Sequence, residues 1–165
     1  PDHVWSADKK IIIRRISGGK KPLVCAVDKN KYHSFASTNL LILNDNFKDK
    51  YPYEFLSLLI NSDLMNYFYS KSFSNESDLT VNIATTFLEK LPLPLFTESS
   101  KKKIQKIADD YNVIEEYSLK LSLDSDNTKL LKEVEVIENK INNKIYDIYG
   151  LDNREISVIN DSFTN

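Results

Sequence analysis

The sequence predicts an α+β fold, with a small mixed β-sheet and flanking helices first, then a long antiparallel helical pair and a short terminal helix. Three observations predict it. β-Branched runs separated by turn residues fill the first 50 residues. Apolar side chains recur at helical spacing from Ile104 to Ile148. Between these parts, "LPLPLF" ends regular structure because it contains two closely spaced prolines. We therefore divide the chain into residues 1–96 and 97–165.

The first part predicts strands joined by turns. The segments "KIIIRRI" and "PLVCAV" flank "SGGKK", and a Gly-Gly pair between β-branched runs is typical of a hairpin. The segment "ASTNLLIL" predicts a third strand, which "NDN" ends. Further along, "LTVNIATTFLEKL" predicts another strand or an extended segment. These segments together predict the small sheet.

Two helices are predicted between the third strand and the prolines. Pro52 suits the first turn of a helix, because its fixed φ is compatible with that position. Apolar residues then recur at helical spacing as far as Phe68. The pattern is interrupted near Asn61 and Ser62, which predicts a cap that begins the second helix.

The last third predicts two long helices that pack against each other. Apolar residues from Ile104 to Leu121 share one helical face, and "LDSDN" separates them from a similar stripe between Leu130 and Ile148. Gly150 suits the left-handed residue that ends a helix. The segment "DNRE" that follows predicts a capping box at the start of a terminal helix.

The residues that usually carry catalysis are scarce. The chain has two histidines and one cysteine, so a disulfide within it is impossible and a zinc site is disfavoured. No Gly-rich phosphate loop or nucleophile elbow occurs in the sequence. Cys25 lies in "LVCAV" and is predicted to be a buried, inert thiol. We therefore predict no catalytic residue and no metal site in this chain.

The charge is unevenly distributed along the chain. The formal net charge is -2 at pH 7, yet the segment from Lys9 to His33 contains eight Lys or Arg residues and one acid, Asp28. This pattern predicts a localised cationic surface. No apolar run is long enough to span a membrane. The single cysteine fits a reducing compartment, so we expect a bacterial cytoplasmic location. Because the chain opens at Pro1, we expect it to be part of a larger protein.

Five segments occur in an order typical of one family: "KIIIRRISGG", "YHSFASTNLLIL", "YEFLSLLINSDLMNYFY", "FLEKLPLPLF" and "IENKINNKIYDIYGLDNREISVI". Together they resemble the TaqI-like C-terminal specificity domain from about Lys9 to Ile159. The segment "LINSDLMNYFY" is similar to the family's Leu-Asn-Ser element and helix, and "LEKLPLP" to its strand and "LPIP" sequence. Specificity subunits of type I restriction systems share these elements. The resemblance therefore indicates DNA target recognition better than it identifies the type of restriction-modification system.

The resemblance implies the target recognition domain of a bacterial adenine-N6 DNA methyltransferase, with or without a fused type II endonuclease. Methyl transfer would belong to a separate N-terminal domain with an "NPPY"-type motif, which this sequence lacks. The implied partners are double-stranded DNA and the methyltransferase domain of the same polypeptide. S-adenosylmethionine, and Mg²⁺ where a nuclease is present, are implied for the parent protein and no cofactor for this chain. In these terms, residues 1–96 are the target-recognition subdomain.

The basic segment supplies most of the predicted DNA contacts. Because side chains alternate along a strand, Arg14 and Arg15 cannot face the same way, and one of them is expected to reach DNA. Lys20 and Lys21 are predicted to contact phosphates, which position a protein without reading sequence. A second polar loop, "SKSFSNESD", adds two candidates. The predicted DNA-binding residues are Lys10, Arg14, Arg15, Lys20, Lys21, Lys29, Asn30, Lys31, Tyr32, His33, Ser34, Asn39, Lys71 and Asn75.

Several of these features also have an ordinary structural interpretation. A basic hairpin is more often a solvated surface than a DNA site, and Tyr32 and Phe35 fit a core or its rim. The aromatic residues from Tyr67 to Phe73 favour packing over base stacking, and His33 favours a hydrogen-bonded surface position. A different class of function is a protein-interaction module whose helical pair docks a partner. Half of a type I specificity subunit is a closer alternative.

Overall fold

The computed structural model describes residues 4, 6–73 and 81–164. Within these residues the chain forms a three-stranded sheet, a two-stranded ribbon and eight helices, so the α+β class is confirmed. The strands are β1 Lys10–Arg14, β2 Ile16–Ser17, β3 Cys25–Asp28, β4 Thr38–Leu41 and β5 Val81–Asn82. The helices are α1 Asp45–Lys48, α2 Tyr53–Asn61, α3 Asp63–Phe73, α4 Thr85–Leu88, α5 Glu98–Ala108, α6 Tyr111–Leu123, α7 Thr128–Tyr149 and α8 Asn153–Thr164.

The central strand of the sheet is β1. It pairs antiparallel with β3, with Lys10 opposite Asp28, and antiparallel with β4, with Arg14 opposite Thr38. The sheet is therefore antiparallel rather than mixed, and the predicted hairpin and third strand are confirmed. Since β3 and β4 both run opposite to β1, they run in the same direction. The connection between them, residues 29–37, must return along the length of the sheet, and we call it the return loop.

The core lies on one face of this sheet. Ile11 and Ile13 point into it and are fully buried, because they alternate with the residues of the opposite face. The same buried cluster contains Phe55 of α2, Ile104 of α5 and Ile145 of α7. Side chains from both sides of residue 96 thus share one core, while the division into residues 1–96 and 97–165 stays a prediction.

The residues of the Leu-Asn-Ser element fasten the helices to the sheet. Asn61, the last residue of α2, accepts a hydrogen bond from the Cys25 amide at 2.8 Å and donates to the Cys25 carbonyl at 2.9 Å. These are the two groups that a further strand would use at the free edge of β3. The side chain of Asn61 therefore occupies the edge and fixes the end of α2 against it.

Asn66 extends this link one turn into α3. It is fully buried; its Oδ1 accepts from the Leu23 amide at 2.9 Å, and its Nδ2 donates to the Ser62 carbonyl at 3.0 Å. Ser62 accepts at Oγ from the Met65 amide at 3.3 Å, so it caps α3 as predicted. The exposed amide side chain of Asn61, the buried amide of Asn66 and the Ser62 hydroxyl thus fix the hairpin and the α2–α3 corner.

The proline segment leaves the sheet region as a chain without regular structure, as predicted. Tyr51 donates a hydrogen bond to the Pro94 carbonyl at 2.6 Å, and the hydroxyl of Tyr149, near the end of α7, donates to the Pro92 carbonyl. Proline supplies no N–H of its own, but its carbonyl remains an acceptor. The two tyrosines therefore hold "LPLPL" between the early and late parts of the chain.

Two predicted elements need correction. Only Val81–Asn82 of "LTVNIATTFLEKL" is a strand among the described residues, and Thr85–Leu88 is a short helix. That helix buries Phe87, whose ring lies 4.6 Å from the ring of Tyr69. The predicted helix from Ile104 to Leu121 is in fact two helices, because the chain breaks at Asp109 and Asp110. Asp110 pairs there with Lys144 of α7.

The end of the chain follows its local sequence signals. Helices α6 and α7 pack against each other across the short turn of residues 124–127, so the antiparallel pair is confirmed. Gly150 ends α7 with φ of 70°. Asp152 accepts from the Glu155 amide at 2.9 Å while Glu155 accepts from the Asp152 amide at 2.8 Å, which is the predicted capping box. No helix among the described residues is long and apolar enough to cross a membrane.

We predict that Asn66→Ala lowers the free energy of unfolding by about 2–4 kcal/mol, because it leaves the buried Leu23 amide without its acceptor. Urea denaturation followed by circular dichroism measures the change. The matched control is Asn143→Ala at an exposed position of α7, where we expect a change within about 0.5 kcal/mol. Equal effects of the two substitutions would show that the buried amide does not fasten the corner.

Candidate nucleic-acid interface

The basic segment contains a buried ion pair. Lys10 Nζ lies 2.7 Å from Asp28 Oδ2, and the two side chains are 0% and 2% exposed. The register of β1 and β3 places these residues directly opposite each other, so the pair forms across the strands. A fully buried ammonium cannot reach a phosphate. The prediction that Lys10 binds DNA is therefore wrong, because the strand pairing turns its charge toward Asp28.

Asp28 also fixes the beginning of the return loop. Its Oδ1 accepts from the Asn30 amide at 2.8 Å, and its Oδ2 accepts from the Tyr32 amide at 2.9 Å. Lys31 between them adopts a left-handed φ of 57°. Burial by itself raises the pKa of the Asp28 carboxyl, but the Lys10 ammonium and the two amides together hold that pKa below its ordinary value. The carboxylate therefore stays ionised and keeps all three donors.

The far end of the return loop is fixed by its carbonyl groups. The Phe35 carbonyl accepts from the Thr38 amide at 3.0 Å and from the Thr38 hydroxyl at 2.9 Å. Arg15 donates from its guanidinium to the Ala36 carbonyl at 3.3 Å and from its amide to the Ser37 carbonyl at 2.9 Å. Three consecutive carbonyls are thus engaged, which leaves this end of the loop little conformational freedom.

Two aromatic side chains project from this fixed loop. Tyr32 is 62% exposed and Phe35 is 86% exposed. Of the two structural interpretations of these residues, core or rim, the core position is therefore wrong. By contrast, the rings of Phe68, Tyr69 and Phe73 contact one another or Phe87, so the aromatic residues of α3 are packing residues, as their pattern favoured.

Arg14 and Arg15 have different surroundings. The guanidinium of Arg15 donates to Asn82 Oδ1 at 3.0 Å as well as to the Ala36 carbonyl, and it connects the return loop to β5. Arg14 at the end of β1 is exposed and, within the part of the chain that the structure describes, has no hydrogen bond or ion pair from its side chain. Neither guanidinium is paired with a carboxylate there, so both keep a full positive charge toward solvent.

The lysines of the hairpin tip contact the helical part of the chain. Lys21 lies 2.5 Å from Asp63 at the start of α3, and its ammonium is 5.1 Å from the centre of the Phe163 ring. Lys20 donates to the Phe163 carbonyl at 3.2 Å, at the end of α8. The hairpin tip is thus folded against α3 and α8 rather than extended from the surface.

The lysines at the opposite end of the sheet have acidic neighbours. Lys9 pairs with Glu54 at 2.5 Å. Lys29 lies 3.8 Å from the same carboxylate, and Lys31 pairs with Asp8 at 2.7 Å. The sequence predicts one cationic surface. In the structure these cations lie at the two ends of the sheet, separated by the length of the strands, and acids from other elements partly neutralise them. Exposed or partly exposed pairs of this kind contribute little to stability.

The remaining predicted DNA-binding residues differ in their exposure and in their hydrogen bonds. Ser34 Oγ is buried without a hydrogen-bond partner among the described residues, so the prediction that its hydroxyl contacts DNA is wrong. Asn39 is half-buried and donates to the Ile83 carbonyl at 2.7 Å. Lys71 is exposed, with its ammonium 5.6 Å from the centre of the Tyr67 ring. Asn75 lies outside the described residues. Asn30 and His33 are exposed in the return loop.

Sequence reasoning missed two structural features of this surface. It gave no role to Asp28, although an acid alone among eight bases is a signal for an internal counter-charge. It also weighed Phe35 only as a packing residue. An isolated Phe in the polar segment "YHSFAS", outside any helical or strand period, is the signal that distinguishes an exposed aromatic from a core one.

The cysteine does not have the properties of a nucleophile. Its Sγ lies 3.5 Å from the Ser57 carbonyl, and burial raises the pKa of the Cys25 thiol to about 12. Within residues 4, 6–73 and 81–164, no three His, Cys, Asp or Glu side chains form a group that could hold a metal ion. Two exposed arginines beside a fixed loop with exposed aromatic rings form a surface that is suited to binding.

These features define a small α+β binding domain with a guanidinium-rich surface at one end of its sheet. The model of one family, the TaqI-like C-terminal specificity domain, matches residues 2–93, which is more than half of the chain. The chain belongs to this family, which places it among the DNA target-recognition domains of restriction-modification systems. The match ends within the proline segment, so the resemblance of the later segments stays a prediction. A comparison with curated proteins found no match.

We predict that Lys10→Met destabilises the chain by about 3–5 kcal/mol at neutral pH, because it leaves the Asp28 carboxylate buried without its counter-charge. In the wild type, ionised Asp28 stabilises the fold above its ordinary pKa of 3.8, and this contribution is lost as the pH falls through the depressed pKa. The difference in the free energy of unfolding between Lys10→Met and the wild type should therefore decrease as the pH falls toward and below the depressed pKa of Asp28. Denaturant titrations at a series of pH values measure it.

The control for this prediction is Lys9→Met, which removes a partly exposed pair with Glu54 and should cost at most about 1 kcal/mol. A loss in Lys10→Met that is as small as in the control, or that is independent of pH, would contradict the role of the buried pair.

Proposed function

We propose that this chain recognises the DNA target of an adenine-N6 DNA methyltransferase, with or without a fused type II endonuclease. The observation that carries the proposal is the family match over residues 2–93, which covers the sheet, the return loop and the α2–α3 corner. The placement of Arg14 and Arg15 beside the return loop supports it, because a duplex is bound through cationic groups near a shaped, rigid surface.

In this proposal the arginine end of the sheet faces the major groove. Arginine can form two parallel hydrogen bonds to a guanine edge, and asparagine can do the same to adenine. Arg14 is free for such a contact at this end, His33 lies on the exposed return loop, and Asn30 lies at the other end of the sheet beside Asp28. Lys20, Lys29 and Lys31 stay candidates for phosphate contacts. The catalytic domain would flip the target adenine while this chain holds the duplex.

The parent protein would supply the chemistry. S-adenosylmethionine, and Mg²⁺ if a nuclease is present, would bind to the catalytic part of the same polypeptide. The far halves of α6 and α7 expose Leu119, Leu123, Leu131 and Val136, and this apolar surface supports docking of the catalytic domain. In the open reading frame upstream of Pro1, we expect an "NPPY"-type motif. A frame without it would favour a type I specificity subunit.

We predict that the chain binds a subset of duplexes selected from a random pool, with an affinity that falls steeply as salt increases. Fluorescence anisotropy on the selected duplex measures both properties. Arg14→Glu should weaken binding about tenfold or more, since it places a like charge against the DNA. Lys132→Glu is the matched control, because Lys132 is an exposed cation on α7, away from the sheet, and it should leave affinity nearly unchanged.

Three outcomes would contradict this proposal. Absence of duplex binding at low salt would contradict DNA recognition and favour the protein-interaction alternative. Binding without selection of any sequence would contradict target recognition. Equal weakening by Arg14→Glu and Lys132→Glu would contradict the placement of the interface, while leaving DNA binding itself in place.

A further inference from the structure

Phe35 combines almost complete exposure with an immobilised backbone. The side chain is 86% exposed, while its own carbonyl and those of the next two residues all accept hydrogen bonds. Single exposed apolar side chains are common on protein surfaces, so the exposure of Phe35 indicates a role only together with its fixed backbone and the charges around it. A ring fixed in this way loses little conformational entropy when it is covered.

The charges around Phe35 indicate what covers it. Arg15 contacts the Ala36 carbonyl, one residue from the ring, and Arg14 lies opposite Thr38, whose amide and hydroxyl hold the Phe35 carbonyl. In the described part of the chain, neither arginine has a carboxylate partner. An exposed aromatic ring, with the Arg15 guanidinium bonded to the next residue and Arg14 at the adjoining end of β1, complements a stacked, apolar surface that is bordered by anions. The base stack of nucleic acid, bordered by phosphates, has this character.

We propose that Phe35 is an aromatic wedge that inserts at a base step of the bound duplex and stacks on the base it exposes. This inference rests on the proposed function and adds a mechanism to it. Insertion unstacks one step, and contact between ring and base offsets that cost. The Lys10–Asp28 pair and the Thr38 contacts hold the loop from its two ends, so the ring enters from a preformed position.

The test uses the chain and its selected duplex, with 2-aminopurine placed at each position of the site in turn. The fluorescence of 2-aminopurine rises when it is unstacked. In the wild type we expect a several-fold rise at one step, and Phe35→Ala should abolish the rise and weaken binding about tenfold, the loss typical of one stacking contact. Phe35→Tyr keeps a ring and should retain both properties.

The matched control is Leu95→Ala, since Leu95 is 84% exposed but lies in the proline segment. It should change neither fluorescence nor affinity, and Phe35→Ala should keep the wild-type thermal midpoint because the ring is exposed. If Phe35→Ala binds as tightly and gives the same rise, or if the wild type gives no rise at any position, the wedge is wrong and the proposed function stands. If the wild type binds no duplex, both are wrong.

Discussion

The buried Lys10–Asp28 pair is the interaction on which the register of the sheet and the conformation of the return loop depend. Taking two charges out of water is costly, and the cost is met only when both find partners. Asp28 finds three, in Lys10 and the amides of Asn30 and Tyr32. The pair also defines the register, because a slip of one residue would turn Lys10 toward the apolar core. The same ion pair therefore fixes both the alignment of the strands and the conformation of the return loop. A rearrangement of the start of this loop would remove hydrogen bonds from the buried Asp28 carboxylate.

The family's sequence elements have a structural explanation in these contacts. Asn61 and Asn66 satisfy backbone groups of the hairpin, and Tyr149 and Tyr51 hold the proline carbonyls. Each element supplies hydrogen bonds that the segment beside it cannot make for itself. Because these groups are hydrogen-bonded inside the fold, the family's motifs stabilise the scaffold. The exposed groups on the loops are the ones that remain available for recognition. This division explains why the motifs identify the family without indicating the bases it reads.

Much of the fold could be predicted because its signals are local. Gly150 and the Asp152–Glu155 capping box depend on groups within one helical turn, and both have the predicted geometry. The break at Asp109 escaped prediction because the lysine that binds its neighbour is more than thirty residues away. The site was harder still, since composition reveals how many cations a segment has but not which acid meets each. Lys10 and Lys21 are paired by residues of other elements, so counting charges overstated the basic surface.

The acidic neighbours of the lysines also bear on how a domain of net charge -2 can distinguish one DNA site from many. Every cation attracts any phosphate, so an uninterrupted basic surface strengthens binding to all sequences alike. Pairing Lys9, Lys29 and Lys31 with carboxylates lowers that general attraction, because each phosphate contact must first displace an internal partner. Arg14 has no carboxylate partner to displace in the described part of the chain, and a guanidinium group can form two parallel hydrogen bonds to a guanine edge. Specificity is a ratio of affinities, and it increases when non-specific binding weakens while the contacts at the base edges are kept.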